Sequence, residues 1–200
     1  IVTSILSGSF YSASIPVLIQ AREQQGTNAQ KRLMQTLTLW YLLALLVGAL
    51  LTFMFANYYL PFIASGFSDV KIELTRKLIS IMCPWIVFSG LSVLWGSFFN
   101  ANEKFFLPSL VPIITPLIIL TVINLTRSTP DIILVAWALL LGAFVEMCLL
   151  AVTLWQQNYR LISLDFSISP EIRQIMLQSI PLIGSAIISS GNTIVDQVVV

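Results

Sequence analysis

An all-α, polytopic transmembrane helical bundle is the fold class this chain predicts, on three observations. Only 10% of its 200 residues are charged and 57% are hydrophobic, with a mean hydropathy of +0.91, whereas soluble domains carry about 25% charged residues. The charges are also segregated, with none between Lys77 and Glu103 and none between Lys104 and Arg127. At about 1.5 Å of rise per helical residue, each of these gaps can cross a hydrocarbon core roughly 30 Å thick. Finally, the two gaps are joined by the short polar stretch 100–104. So brief a turn predicts two helices lying side by side and antiparallel, a membrane hairpin.

Six spans follow from hydropathy. The first, about 1–20, is rich in small and hydroxyl residues (SGSFYSAS) and contains Pro16. A polar stretch at 21–32 follows, with Gly26 and Asn28 as breakers. The second span, about 33–55, reads LWYLLALLVGALLTFMF, and 56–70 holds the Asn, Tyr and Pro mixture expected at an interface. The third is about 78–100, preceded by DVKIELTRK at 69–77 as a charged helical start with Asp69 favourable near its N-terminus. The fourth is about 106–125 and the fifth about 132–156. A polar loop at 157–173 leads to the sixth, about 174–200.

Loops 21–32, 101–105 and 157–173 carry six basic residues: Arg22, Lys31, Arg32, Lys104, Arg160 and Arg173. The opposite loops carry four: Lys71, Arg76, Lys77 and Arg127. Six against four places the first set in the cytoplasm. The net charge of +1 offers no field for nucleic acid, and no basic cluster suggests it as a partner. The absence of histidine excludes imidazole catalysis and imidazole metal ligation. Cys83 and Cys148 fall inside apolar runs and read as small buried hydrophobes rather than a disulfide or metal site. Neither a metal nor a cofactor is expected. The chain opens with Ile in an apolar run without a basic leader and closes on three valines in another, so both ends read as cut.

Polar residues inside spans are where work is expected, because a helix facing only lipid can be uniformly apolar. In the sixth span Gln178, Ser185, Ser189, Asn192 and Asp196 fall along one helical face. They read as cavity lining, or, for the serines, as close helix packing. Asp196 is either an ion or proton site or a carboxylate at the outer interface. Glu146, in the middle of LLLGAFVEMCLLAV, is either an ion or proton site or an acid hydrogen-bonded to a neighbouring helix. Ser4, Ser7, Tyr11 and Ser14 share a face of the first span, as do Ser89, Ser92, Gly96 and Asn100 of the third. Each set lines the cavity or packs against a neighbour, and packing is the default expectation. Gly8 and Ser12 form a small-xxx-small pair that lets backbones approach.

Pro108, Pro112 and Pro116 lie four apart on one face of the fourth span. Pro108 falls in the first turn, where a missing N–H costs little. Pro112 and Pro116 each remove an internal hydrogen bond, which predicts a bent helix suited to gating or to a plain structural kink.

Pro84, Asn100-Ala101, Lys104-Phe105 and the prolines at 108 and 112 together resemble the fourth and fifth helices of the MurJ/MviN family. Gly8, Phe10 and Pro16, the PFIASGF segment at 61–67, and Ser179-Ile180-Pro181 through Ile194-Val195-Asp196 agree in order, so the likeness covers essentially the whole chain. That family flips lipid-linked cell-wall precursors and belongs to the multidrug/oligosaccharidyl-lipid/polysaccharide exporter superfamily. The resemblance implies an internal piece, roughly helices two to seven, forming most of one lobe of a fourteen-helix, two-lobed transporter in the bacterial inner membrane. Its partners would be a lipid-linked saccharide, the lipid bilayer and the remaining helices of the same transporter.

Three departures from the family stand out. The family's diphosphate-binding arginines lie mainly in its first helix, at the start of its second and in its eighth, yet this chain begins IVTSIL without arginine. No cationic substrate residue can therefore be carried over. The resemblance implies an amide at the position of Glu146, so it does not support coupling there, and an asparagine where Pro116 stands.

The leading expectation is a flippase moving a polyprenyl-diphosphate-linked saccharide, lipid II by default, by alternating access. An exopolysaccharide or O-antigen-type flippase and a non-transporting scaffold of cell-wall synthesis are the alternatives. A membrane glycosyl- or phosphotransferase needs clustered loop carboxylates. Glu23, Asp69, Glu73, Glu103, Asp131, Asp165 and Glu171 are scattered without DxD-like spacing, so no catalytic residue is assigned.

Overall fold

The computed structural model describes residues 2–63, 68–126, 131–157, 159, 170–181 and 184, without the side chains of 2–7, 9, 10, 59 and 61–63. All regular structure among them is helical: α1 (Val2–Gln25), α2 (Thr27–Ile63), α3 (Asp69–Ala101), α4 (Phe106–Leu110), a 3₁₀ turn (Val111–Ile113), α5 (Ile114–Thr126) and α6 (Ile132–Gln156). Residues 170–181 form a further helical segment. Among the described residues four stretches are long and apolar enough to cross a membrane: Thr27–Tyr58, Asp69–Ala101, Phe106–Thr126 and Ile132–Gln156. Most of the sixth expected span lies outside the described residues.

The polar stretch at 21–32 is not a loop. α1 runs through Gln25 and α2 begins at Thr27, leaving Gly26 alone between them at φ +86. Only glycine takes that backbone conformation without a steric penalty. Arg22, Lys31 and Arg32 thus sit on helical turns; α2, at 37 residues or about 55 Å, is longer than a bilayer core is thick. The charged helical start at 69–77 is present as the first turns of α3, where Glu73 and Lys77 pair at 3.4 Å on the surface.

α3 is the central element. It packs against α1, α2 and α6, and its buried side chains Leu94, Trp95, Phe98 and Phe99 meet a core that includes Leu18, Leu37, Tyr41 and Leu45. Trp95 Nε1 donates to Thr38 Oγ1 at 3.3 Å, so this indole N–H is satisfied inside the core. Ile172 and Ile175 of the 170–181 segment join the same core and are almost fully buried. The outward faces are apolar instead: Leu46, Leu50 and Phe53 of α2, Leu117 and Leu120 of α5, and Trp137 and Leu141 of α6 are all exposed. In water such surface is unfavourable, whereas acyl chains accept it.

The turn after α3 closes tightly. Glu103 N–H donates to Asn100 O at 3.0 Å and Lys104 N–H to Phe99 O at 2.9 Å, the paired pattern of a Schellman C-cap. Glu103 holds the left-handed position at φ 60 that glycine usually fills. Beyond the turn the expected hairpin does not continue. α3 meets the next span through α4, while α5 packs on α6, and α6 is the helix that lies along α3. The physical reason is the interruption at 111–113. Pro112 cannot donate to the Pro108 carbonyl nor Pro116 to the Pro112 carbonyl, and the chain tightens into a 3₁₀ turn there.

Three of the polar stretches share one end of the bundle. Gln25 Nε2 donates to Glu171 Oε1 at 2.9 Å, Lys104 Nζ to Gln157 Oε1 at 2.6 Å, and the Lys31 ammonium lies 4.3 Å from the centre of the Tyr159 ring. Phe98 meets the same ring edge-on, with centroids 4.9 Å apart. Of the basic residues grouped by charge counting, Arg22, Lys31 and Lys104 thus share this end, and Arg160 lies outside the described residues. Burial pushes the Tyr159 phenol above its ordinary pKa, and the Arg22 guanidinium pulls it partly back.

Candidate functional site: a polar cleft between α1, α3, α4 and α6

Where α5 leaves α3 for α6, a cleft of about 380 Å³ remains. α1 contributes Tyr11 to it; α3 contributes Ser89, Ser92, Val93, Gly96 and Asn100. The interrupted fourth span adds Pro108, Ser109, Val111 and Pro112, and α6 adds Glu146 and Leu150. The α3 residues reach one cavity because offsets of three, seven and eleven from Ser89 fall on one helical face.

The stripe on α3 therefore lines a cavity rather than packing against a neighbour, and Tyr11 shares that cavity. Asn100 Nδ2 donates to the Tyr11 hydroxyl and ties the two stripes together. Ser14, on the Tyr11 face of α1, is instead buried in the helix packing. The Gly8–Ser12 pair brings no backbone close: Ser12 is exposed and a Cβ on Gly8 would meet open space among the described residues. The cysteines are free and half-buried, with Cys83 Sγ 3.5 Å from Ala49 O.

Glu146 is held from the opposite wall. Its Oε1 accepts from the Thr115 backbone N–H at 3.2 Å. Thr115 is the second residue of α5, and the first N–H groups of a helix lack partners within it. The preceding 3₁₀ turn uses the Val111 carbonyl for Ile114 N–H, and Thr115 N–H turns to the carboxylate. A negative charge at a helix N-terminus is favourable. One turn earlier on α6, Gly142 lets the two helices close up: a Cβ there would lie 2.8 Å from Thr115 Cα.

Glu146, Pro108 and Pro112 thus meet at one site. Pro116 is exposed and is not among the cleft residues, and neither is Gln178, which is exposed on the 170–181 segment. Ser185, Ser189, Asn192 and Asp196 lie outside the described residues. Sequence reading missed Ser109, Thr115 and Gly142. Of these only Gly142 carried a signal, a glycine four residues before an intramembrane acid and hence on its face.

The lipid II flippase MurJ family model matches residues 3–200. The probable lipid II flippase MurJ of Buchnera aphidicola subsp. Schizaphis graminum is 29% identical over 144 residues, covering 70% of this chain and 28% of that protein. The lipid II flippase MurJ of Burkholderia cenocepacia is 28% identical over 143 residues, with the same coverage. The chain thus spans little more than a quarter of the length of these curated relatives. A solved structure, a lipid II flippase MurJ in an inward closed conformation, superposes with a TM-score of 0.74 at 20% identity, covering 98% of this chain and 42% of that one. That likeness shows the fold, and with four apolar helices it marks a multi-pass membrane protein. By the match along nearly its whole length, the chain belongs to the lipid II flippase MurJ family.

Proposed function

We propose that the protein carrying this chain moves a polyprenyl-diphosphate-linked saccharide of the lipid II type across the bacterial inner membrane by alternating access, and that it is not an enzyme. The observation that carries this reading is family membership over residues 3–200. In it, these helices supply most of one lobe and the remaining helices of the transporter supply the other. The lipid tail stays in the bilayer while the polar head crosses through a wet cavity. Gln178, Ser185, Ser189, Asn192 and Asp196 belong to that cavity's lining in this proposal. The interruption at Pro112, flanked by Pro108 and Pro116, serves as its hinge.

No Lys or Arg lines the described cleft, so cations for a diphosphate come from elsewhere in the transporter. The start IVTSIL, without arginine, favours a related lipid-linked saccharide as the second reading. The test is replacement of the lipid II flippase of a conditional bacterial strain by the full-length gene. Growth with restored exposure of lipid II on the outer leaflet is expected. Lysis despite normal membrane expression contradicts the lipid II reading, and restored export of another lipid-linked saccharide would establish the alternative.

A further inference from the structure

The cleft is lopsided in its hydrogen-bonding capacity. Ser92 Oγ donates its hydrogen to Phe88 O at 3.0 Å and Ser109 Oγ to Phe105 O at 2.8 Å. Asn100 directs its amide N–H to Tyr11. What the two serines leave facing the cavity are lone pairs. Ser89 Oγ is buried and has no hydrogen-bond partner among the described residues. Glu146 brings a carboxylate that accepts from a backbone N–H on one of its two oxygens. Among the described residues Tyr11 is the other titratable residue of the walls; α3 and the 106–113 segment present none. Lys104, the cation of the turn between α3 and α4, is turned away to Gln157.

A carboxylate within a membrane span is costly unless a positive charge answers it, and among the described residues of this cleft hydroxyls accompany it and no Lys or Arg does. We propose that this cleft binds a monovalent cation, with Glu146 as its charged ligand and Ser89, at the same level of α3, as a neutral oxygen ligand. One carboxylate balances one positive charge. The volume of about 380 Å³ holds an alkali ion with retained water, or an ammonium group. A cation on Glu146 also competes with the Thr115 N–H for the carboxylate, so occupancy acts on the start of α5, where the fourth span bends. The site stands apart from diphosphate recognition, which needs the opposite charge.

The test is infrared difference spectroscopy of the full-length protein in nanodiscs, replacing choline chloride with NaCl, KCl or methylammonium chloride at constant ionic strength. A saturable shift of a carboxylate band is expected with at least one of the three. Response to the alkali ions alone assigns a free ion, and response to methylammonium assigns an ammonium group. Glu146→Gln abolishes the shift, and Ser89→Ala weakens the apparent affinity about tenfold. Circular dichroism and elution profiles confirm that each variant is folded; if Glu146→Gln is not, the Ser89→Ala shift decides. The absence of any saturable response, as when a neighbouring helix fills the cleft, overturns the proposal. So does an unchanged response in folded Glu146→Gln, or unchanged affinity in Ser89→Ala. No lipid enters the readout, so failure here leaves the transport reading standing.

Discussion

The Thr115 backbone N–H and the Glu146 carboxylate are 3.2 Å apart across the α5–α6 contact, so a side chain of one span completes the helix start of another. Neither group has an ordinary partner within its own helix. Removing the carboxylate leaves a half-buried N–H without an acceptor. Glu146→Ala should therefore destabilise the full-length protein by about 1–3 kcal/mol, and Glu146→Gln, which keeps an acceptor oxygen, by less. Thermal unfolding in detergent checks the order; equal losses would show that the contact contributes little.

Gly142 tests the same interface by shape. A Cβ at 142 meets Thr115 Cα at 2.8 Å and Cβ at 2.9 Å, atoms that move only if α5 moves. At Gly90 the obstacle is the flexible end of Leu45, at 2.6 Å, and at Gly96 the nearest atom is 3.8 Å away. Gly142→Ala should cost about 1–3 kcal/mol, Gly90→Ala less, and Gly96→Ala least. The ranking of melting temperatures is the measurement.

Glu103 occupies a left-handed position at φ 60 with its side chain exposed. Glycine reaches that conformation without the Cβ clash, so Glu103→Gly should stabilise the protein by about 1 kcal/mol. A lower melting temperature for the variant would mean that the glutamate side chain contributes more than its backbone conformation costs.

Tyr159 gives a pH dependence. Burial raises its pKa above that of the unfolded chain, with Arg22 opposing, so folding favours the neutral phenol. That contribution is complete below about pH 10, the unfolded value, and is lost as pH rises through the higher folded value. The melting temperature should fall more steeply above about pH 10 in the parent than in Tyr159→Phe, which cannot ionise. Parallel curves would contradict this.

Much of the fold is legible in residue patterns, for identifiable reasons. Charge-free runs show α3 and the fourth span, and proline spacing shows where the latter is interrupted. The partners of each helix are not legible, because helices apolar on most faces leave no stripe to say which face meets which neighbour. For that reason α5 was expected along α3 and lies on α6. The polar stretch at 21–32 reads as loop because polarity there marks departure from the apolar layer, although the helices continue and break only at Gly26. Within the cleft, Ser89, Ser92 and Asn100 are visible as polar residues on one face, but cavity and packing give the same pattern. Glu146 is visible as an intramembrane acid, while its partner is a backbone N–H that every residue but proline possesses.

The central claim is that the α3 stripe and Glu146 share a wet, protein-enclosed cleft while the outer faces of α5 and α6 meet lipid. In the full-length protein, with Cys83 and Cys148 replaced by serine, single substitutions Ser89→Cys, Ser92→Cys and Ser109→Cys should react with a membrane-impermeant thiol reagent. Leu120→Cys, Trp137→Cys and Leu141→Cys, on exposed apolar faces, should stay unlabelled. Equal labelling of the two sets, or labelling of neither, would contradict the account.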